Sequence, residues 1–336
     1  MTDVDMTKFS AKHGAAISRL RAPAFQAILP IALVVLLLGF ALVDSRVVSP
    51  GNLVNILQQT SYLAIFAMAQ TVVILTRGFD LALGPTVSMV SVGAALAMAA
   101  LVGQHNSAVS VLILGLLAGL ALGCAVGAFN GLLIAALGVN PFVTTLGSYN
   151  IAIGVATTLS GGRPVQSVPD LFAELLYSGS IFGLPVAIAI AVVIGFVLHL
   201  LLTYTVFGRS LYLVGTNMRA AAVAGLPTKR ILVCAYLISS LLSAIGALML
   251  TARTGSGEPN LGGSLSLQAI AAAVVGGASL SGGSGGVVTA FLGALFVTIL
   301  SNGMNLAQIN GYIQMIVLGA IVIVGVVLDR LRLRSR

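Results

Sequence analysis

A helix needs about 20 apolar residues to cross the hydrocarbon of a bilayer, and runs of that length recur from residue 27 almost to the C-terminus. This recurrence leaves few folds open. Hydrophobic residues make up 58% of the chain and charged residues 7%, with a mean hydropathy of +1.11. A soluble domain carries about 25% charged residues. No core of 336 residues needs so much apolar surface, so lipid must be the remaining solvent. The pattern places about ten spans, near 27–43, 54–76, 83–102, 108–136, 141–160, 182–203, 230–252, 266–281, 286–304 and 312–329, which makes the chain an all-α polytopic membrane protein. The span at 266–281 is interrupted by Gly276-Gly277 and Gly282-Gly283 and reads as short or re-entrant. The 39 glycines suit helices that approach one another closely.

Orientation follows from the cations. With ten spans both ends lie on one side. That side receives Lys8, Lys12, Arg19, Arg21, Arg77, Arg209, Arg219, Lys229, Arg230, Arg330, Arg332, Arg334 and Arg336, and the other only Arg46, Arg163 and Arg253. Thirteen against three predicts that both termini are cytoplasmic. Residues 1–26 then form a cytoplasmic N-terminal segment, 27–329 a single transmembrane domain, and 330–336 a basic cytoplasmic tail. The first apolar run ends in Asp44-Ser45-Arg46 without a small-residue cleavage pattern, so it reads as a retained span. The net charge of +8 does not imply nucleic-acid binding, because the cations lie in short stretches between apolar runs. Cys124 and Cys234 lie inside such runs and read as small packing residues.

The two halves resemble each other. Residues 78–83 (GFDLAL) lie on 262–267 (GGSLSL), Gly93-Ala94 on Gly277-Ala278, Phe129-Asn130-Gly131 on Ser301-Asn302-Gly303, and 139–143 (VNPFV) on 309–313 (INGYI). A repeat displaced by five spans enters from the opposite side. The expected architecture is therefore two inverted five-helix repeats, with a pathway between the halves.

Catalytic and metal-binding constellations are missing. His13, His105 and His199 are far apart, and none has a partner at ligand spacing. No nucleophile stands beside a base, and no cofactor is called for. A phosphate loop requires Gly-Lys-Ser/Thr, but none of the lysines, Lys8, Lys12 and Lys229, follows a glycine. Residues 282–286 (GGSGG) read as a tight turn. Ion-coupled carriers place carboxylates within the membrane, and the one credible candidate is Asp80. It stands three residues after Arg77, so a local ion pair or a helix-start cap competes with a role in the pathway.

A pathway with no visible engine points to a partner that supplies the energy. The basic internal loop at 204–230 is where such a partner could dock. Residues 215–227 (GTNMRAAAVAGLP) read as a short helix. Thr216 or Asn217 caps its start, and Gly225 with Pro227 ends it. Its alanines offer a low-relief face suited to burial against another protein.

These residues resemble the permease subunits of bacterial ATP-binding-cassette importers of the ribose, xylose, galactoside and autoinducer-2 group. Residues 76–84 (TRGFDLALG) look like the family's Thr-x-Gly-Ile-Asp-Leu-Ser-Val-Gly. Asn130-Gly131 and 140–147 (NPFVTTLG) look like its Asn-Gly and Pro-x-Phe-Ile-x-Thr-Leu-Gly. Residues 207–212 (FGRSLY), followed by Gly215-Thr216-Asn217 and Ala220-Ala221, look like its loop motif. Ala269-Ile270-Ala271-Ala272, residues 276–280 (GGASL) and Asn302-Gly303 match its C-terminal half. The family's Glu-Leu-Asp before Ala-Ile-Ala-Ala is here Ser266-Leu267-Gln268, and Phe79 and Ala82 replace Ile and Ser. These departures put the sugar assignment in more doubt than the transporter assignment.

The resemblance implies a non-enzymatic transport subunit in the bacterial inner membrane, carrying a small polyhydroxylated solute such as a monosaccharide. Its partners would be a second permease, cytoplasmic ATPase subunits that hydrolyse the ATP, and a periplasmic solute-binding protein. Thr216, Asn217, Arg219, Ala220, Ala221 and Gly225 would belong to the ATPase-coupling helix. Asp80, Asn130, Asn140, Phe142 and Asn302 would lie at or near the pathway. An ion-coupled carrier and a passive solute channel are the alternatives.

Overall fold

Helix starts fall on short polar residues and prolines, and several helix ends fall on glycines. A computed structural model describes residues 29–101, 107–166 and 168–334. Helix α1 covers Leu29–Val43. A 3-10 turn at Ser45–Val48 leads into α2, Pro50–Leu75, where Ser49 caps the first turn and Pro50 takes a position that has no N–H to satisfy. Helix α3 is Leu83–Ala99. Helices α4, Ala108–Leu137, and α5, Pro141–Ser160, start on the side chains of Ser107 and Asn140 and end on Gly138 and Gly161. Both glycines are left-handed, the conformation that lets a chain leave a helix without a Cβ clash.

The following connection holds α6, Asp170–Ala173, a π turn at Glu174–Ser178, and a hairpin pairing β1, Ser180–Ile181, with β2, Leu184–Pro185. Helices α7, Val186–Tyr204, α8, Val206–Thr216, α9, Met218–Val223, α10, Thr228–Thr254, α11, Leu265–Val275, α12, Val287–Leu306, and α13, Gly311–Arg334, complete the chain.

By length and composition six of these helices can cross a membrane: α4, α5, α7, α10, α12 and, within α13, Gly311–Leu331. Helices α1, α3 and α11 are apolar but shorter. Helix α2 forms the middle of the bundle, with every residue from Thr60 to Leu75 buried. Large apolar side chains are exposed over α1, α4, α5, α7 and α13, as expected where lipid covers them. Among the described residues the only salt bridge is Arg46 to Asp44. Packing and hydrogen bonds, not charge pairs, hold the helices together.

The segment expected at 266–281 is short, as its glycine pairs suggest, and its bounds are corrected. Helix α11 has 11 residues and stops at Val275, a length of about 16 Å, roughly half the hydrocarbon thickness. It ends where Gly277 turns left-handed, and Gly276 beside it lets the chain pass the Thr289 carbonyl oxygen, from which a Cβ would lie 2.2 Å. Residues 1–28, which hold the whole expected N-terminal segment with His13, and 102–106, which hold His105, lie outside the described residues, as do the last two residues of the expected tail.

Glycine spacing brings α4 against α10. Gly119, Gly123, Gly127 and Gly131 recur every fourth residue, and a Cβ on each would strike Leu248, Ala244, Tyr236 or Val233 of α10 at under 3 Å. With no side chain between them the backbones pack directly. Helix α12 packs along α2, as α4 packs along α10. Helix α3 packs among α4, α5 and α10, and α11 among α12, α13 and α2.

The starts of α3 and α11 meet inside the bundle. Gly84 and Gly262 pass so closely that a Cβ on Gly262 would lie 1.8 Å from the Gly84 carbonyl oxygen. The Ser266 hydroxyl accepts from Gly84 N at 2.8 Å and donates to Leu81 O at 2.9 Å. Ser88 Oγ accepts from Gly262 N at 2.8 Å, and Ser91 Oγ from Glu258 N at 3.1 Å. Serine side chains thus satisfy the backbone groups that the two breaks would leave unpaired. Gly262→Ala is expected to destabilise the protein by about 3 kcal/mol or more, because backbone must move to admit the methyl. Gly39→Ala and Gly319→Ala, whose methyls would meet nothing, are expected to leave stability unchanged or slightly raised. Thermal unfolding in detergent measures the contrast, and equal midpoints for all three would contradict the close passage.

Candidate functional site

The segment between α7 and α10 is almost wholly helical. Thr205 caps α8, its Oγ1 accepting from Gly208 N at 3.0 Å. Helix α8 buries Gly208, Ser210, Leu211, Val214 and Gly215. Gly215 abuts the end of α2, where a Cβ would lie 1.7 Å from the Leu75 carbonyl oxygen. The chain then turns at Asn217, whose Oδ1 accepts from Ala220 N at 3.0 Å and starts α9. Leu226 N donates to Ala221 O at 3.0 Å, with Gly225 left-handed.

Helix α9 is shorter than the expected 216–225 element. Thr216 belongs to the end of α8, and its hydroxyl donates back to Tyr212 O at 2.9 Å instead of capping α9. Within α9 only Ala221 faces inward. Met218, Arg219, Ala220, Ala222, Val223 and the following Ala224 are exposed, Val223 at 90%. Arg209, Lys229 and Arg230 are exposed nearby. The result is a small, shallow apolar face bordered by cations, on a segment too short to hold itself helical without support.

Arg77 and Asp80 do not pair. The Asp80 side chain is buried; its Oδ1 accepts from Ala82 N at 3.0 Å at the start of α3, and its Oδ2 lies 3.5 Å from Ser239 Oγ on α10. The ion pair is absent; Asp80 holds the backbone just ahead of α3, whose N-cap position is Ala82, and a carboxylate suits that positive end of the helix. The Arg77 guanidinium points the other way. Its Nε donates to Gly215 O at 2.6 Å and its Nη2 to Thr216 O at 2.5 Å.

Of Asp80, Asn130, Asn140, Phe142 and Asn302, only the neighbours Asn140 and Phe142 are joined by a hydrogen bond. Asn130 is buried on α4, accepts from Ser148 of α5 through Oδ1, and its Nδ2 has no partner among the described residues. Asn140 caps α5, accepting from Phe142 N at 2.9 Å, and both residues are exposed. Asn302 is buried and exchanges two hydrogen bonds with Asn52 of α2, at 2.8 and 3.0 Å. Sequence reasoning missed Asn52 and Ser148, and read Ser266 only as a departure from the family pattern. Each stands among other polar residues, and nothing local picks it out. Cys124 is half-buried while Cys234 is exposed, so only the first fits the packing role. Among the described residues no cluster of metal-ligating side chains occurs.

Comparison with known proteins agrees with this geometry. The family model described as "Branched-chain amino acid transport system / permease component" matches residues 52–326. The chain belongs to that family. Relatives cover nearly the same length. A probable ABC transporter permease protein, y4mJ, of Sinorhizobium fredii is 38% identical over 89% of this chain and 87% of its own length. The ribose import permease protein RbsC of Bacillus subtilis is 34% identical over 89% of this chain and 91% of its own. The galactose/methyl galactoside import permease protein MglC of Escherichia coli is 33% identical over 90% and 93%. No solved structure matches. As a member of this permease family the chain is a multi-pass membrane protein and a transport component, not an enzyme.

Within this permease the Asn52–Asn302 pair ties α2 to α12. Asn302→Ala strands a half-buried amide and is expected to cost about 1–2 kcal/mol. A double-mutant cycle with Asn52→Ala, followed by unfolding in detergent, is expected to give a coupling energy of about 0.6–1.7 kcal/mol. Strict additivity would show that the two amides do not act together.

Proposed function

We infer that the chain is the membrane-spanning permease subunit of an ATP-driven importer, forming the translocation pathway for a small polyhydroxylated solute, a monosaccharide or related polyol. The family description names branched-chain amino acids, but relatives at 30–35% identity named for import of ribose, allose and galactosides favour a sugar. Cytoplasmic ATPase subunits supply the energy, a periplasmic binding protein delivers the solute, and a second permease completes the pathway. The chain sits in the inner membrane with both termini cytoplasmic, which puts α8 and α9 on the ATPase side.

Packing supports two inverted five-helix repeats. The sequence match lays α3 on α11, α4 on α12 and α5 on α13. Neighbour relations follow the same correspondence, α4 on α10 answering α12 on α2. The starts of α5 and α13 also agree: Asn140 Oδ1 accepts from Phe142 N at 2.9 Å and Asn310 Oδ1 from Tyr312 N at 2.8 Å. Helices α3 and α11, which start face to face inside the bundle, suit a pseudo-two-fold axis in the membrane plane. The count of ten spans belongs to this proposal, with α3 and α11 as the short members.

The observation that carries the ATPase assignment is α9, a capped, alanine-rich turn whose exposed side would be left bare without a partner. Arg219→Glu with Ala222→Glu is expected to reduce the ATPase recovered with the permease from membranes to less than about a tenth, a loss of roughly 1.4 kcal/mol or more. Permease abundance should not change. Full ATPase recovery with this double variant would remove α9 as the docking surface.

A further inference from the structure

Arg77 occupies a position that glycine usually fills. It is the residue just beyond the cap of α2, with φ of 62°. Arg77 N donates to Ile74 O at 2.9 Å and Gly78 N to Val73 O at 3.0 Å. This pair of bonds is the helix-ending motif that asks for a left-handed residue without a Cβ. An arginine held there against its backbone preference calls for a reason in its side chain.

That side chain spans to another element. Its two hydrogen bonds reach the carbonyls of Gly215 and Thr216, the last of α8 and without helical partners of their own. A planar cation suits that helix end in both charge and geometry. The glycine turn at 282–285 closes over the contact. A Cβ on Gly282 would lie 2.5 Å from Arg77 Cγ, and one on Gly283 would lie 2.4 Å from Thr216 Oγ1. Gly283 N donates to Leu75 O at 3.0 Å, and Tyr212 Oη to Gly285 O at 2.9 Å. The end of α8 therefore cannot shift without moving Arg77.

Two directions leave this contact. On one side Asn217 follows Thr216 and starts α9. On the other, three residues beyond Arg77, Asp80 accepts from Ala82 N at the entry to α3, where α3 meets α11, and touches Ser239 of α10. A displacement of α9 has a six-residue route, 77–82, to the buried helix starts. We propose that Arg77 is the positioning residue that transmits motion of the docked α9 segment to the α2–α3 break, and so couples ATP use to opening of the pathway. This rests on the reading of α9 as the ATPase contact.

The test uses the assembled importer, permease with ATPase and binding protein, in proteoliposomes, with ATP hydrolysed per solute imported as the readout. Arg77→Gly keeps the left-handed turn at no conformational cost, so assembly and abundance are expected to match the wild type. ATP hydrolysed per solute imported is expected to rise about tenfold, within the range typical of coupling between sites. Arg77→Lys keeps the charge without the two-pronged geometry and is expected to be uncoupled as well. Wild-type coupling in Arg77→Gly would overturn the proposal, and so would loss of the ATPase from that variant, which would place Arg77 in docking itself. The α9 double variant separates the two claims. If it retains the ATPase, the docking reading fails; if it loses the ATPase while Arg77→Gly stays coupled, only the role of Arg77 fails.

Discussion

Two helices that begin inside a protein set the terms for everything around them. Helices α3 and α11 start face to face at Gly84 and Gly262, where neither water nor lipid supplies hydrogen bonds. Each helix start carries unpaired N–H groups, and in a membrane such groups must be satisfied by the protein itself. The Asp80 side chain and the hydroxyls of Ser88, Ser91 and Ser266 do so, and two glycines without side chains let the backbones come close enough. The serines and glycines on these elements are therefore structural necessities.

The same constraint explains the helices that surround the breaks. Short helices cannot shield their own ends, so long ones must. Helices α2 and α10 bury most of their length against them, and α12 and α4 cover α2 and α10 in turn. Lipid-facing helices lie further out. Helices α4, α5 and α10 surround α3, and α12, α13 and α2 surround α11. Such an arrangement concentrates the places where backbone can rearrange near the middle of the protein, where a pathway with alternating access needs them.

Much of this was legible in the sequence, for local reasons. Ser49-Pro50, Ser107 and Asn140-Pro141 mark helix starts through capping chemistry that needs only neighbouring residues, and Gly138 and Gly161 mark ends in the same way. Asn217 and Gly225 bounded α9 for the same reason, although Thr216 turned back to α8. What could not be read depends on partners far along the chain. Asp80 looked equally suited to pair with Arg77 or to cap a helix, and only the fold shows Arg77 turned 138 residues away to Gly215. The bond between Asn302 and Asn52 joins residues 250 positions apart, which no local pattern reveals. Gly276-Gly277 and Gly282-Gly283 marked the run at 266–281 as short or re-entrant, while the close approach of Gly276 to Thr289 is invisible in the sequence.

The central claim is that this chain provides a pathway and borrows its motor. Solute uptake into proteoliposomes tests it most directly, comparing the permease alone with the permease joined by its ATPase and binding protein. The account predicts no flux through the permease alone, and ATP-dependent accumulation against a gradient by the assembly that persists when the proton gradient is collapsed. Passive flux through the permease alone, or uptake that fails with the proton gradient while ATP is held constant, would contradict it.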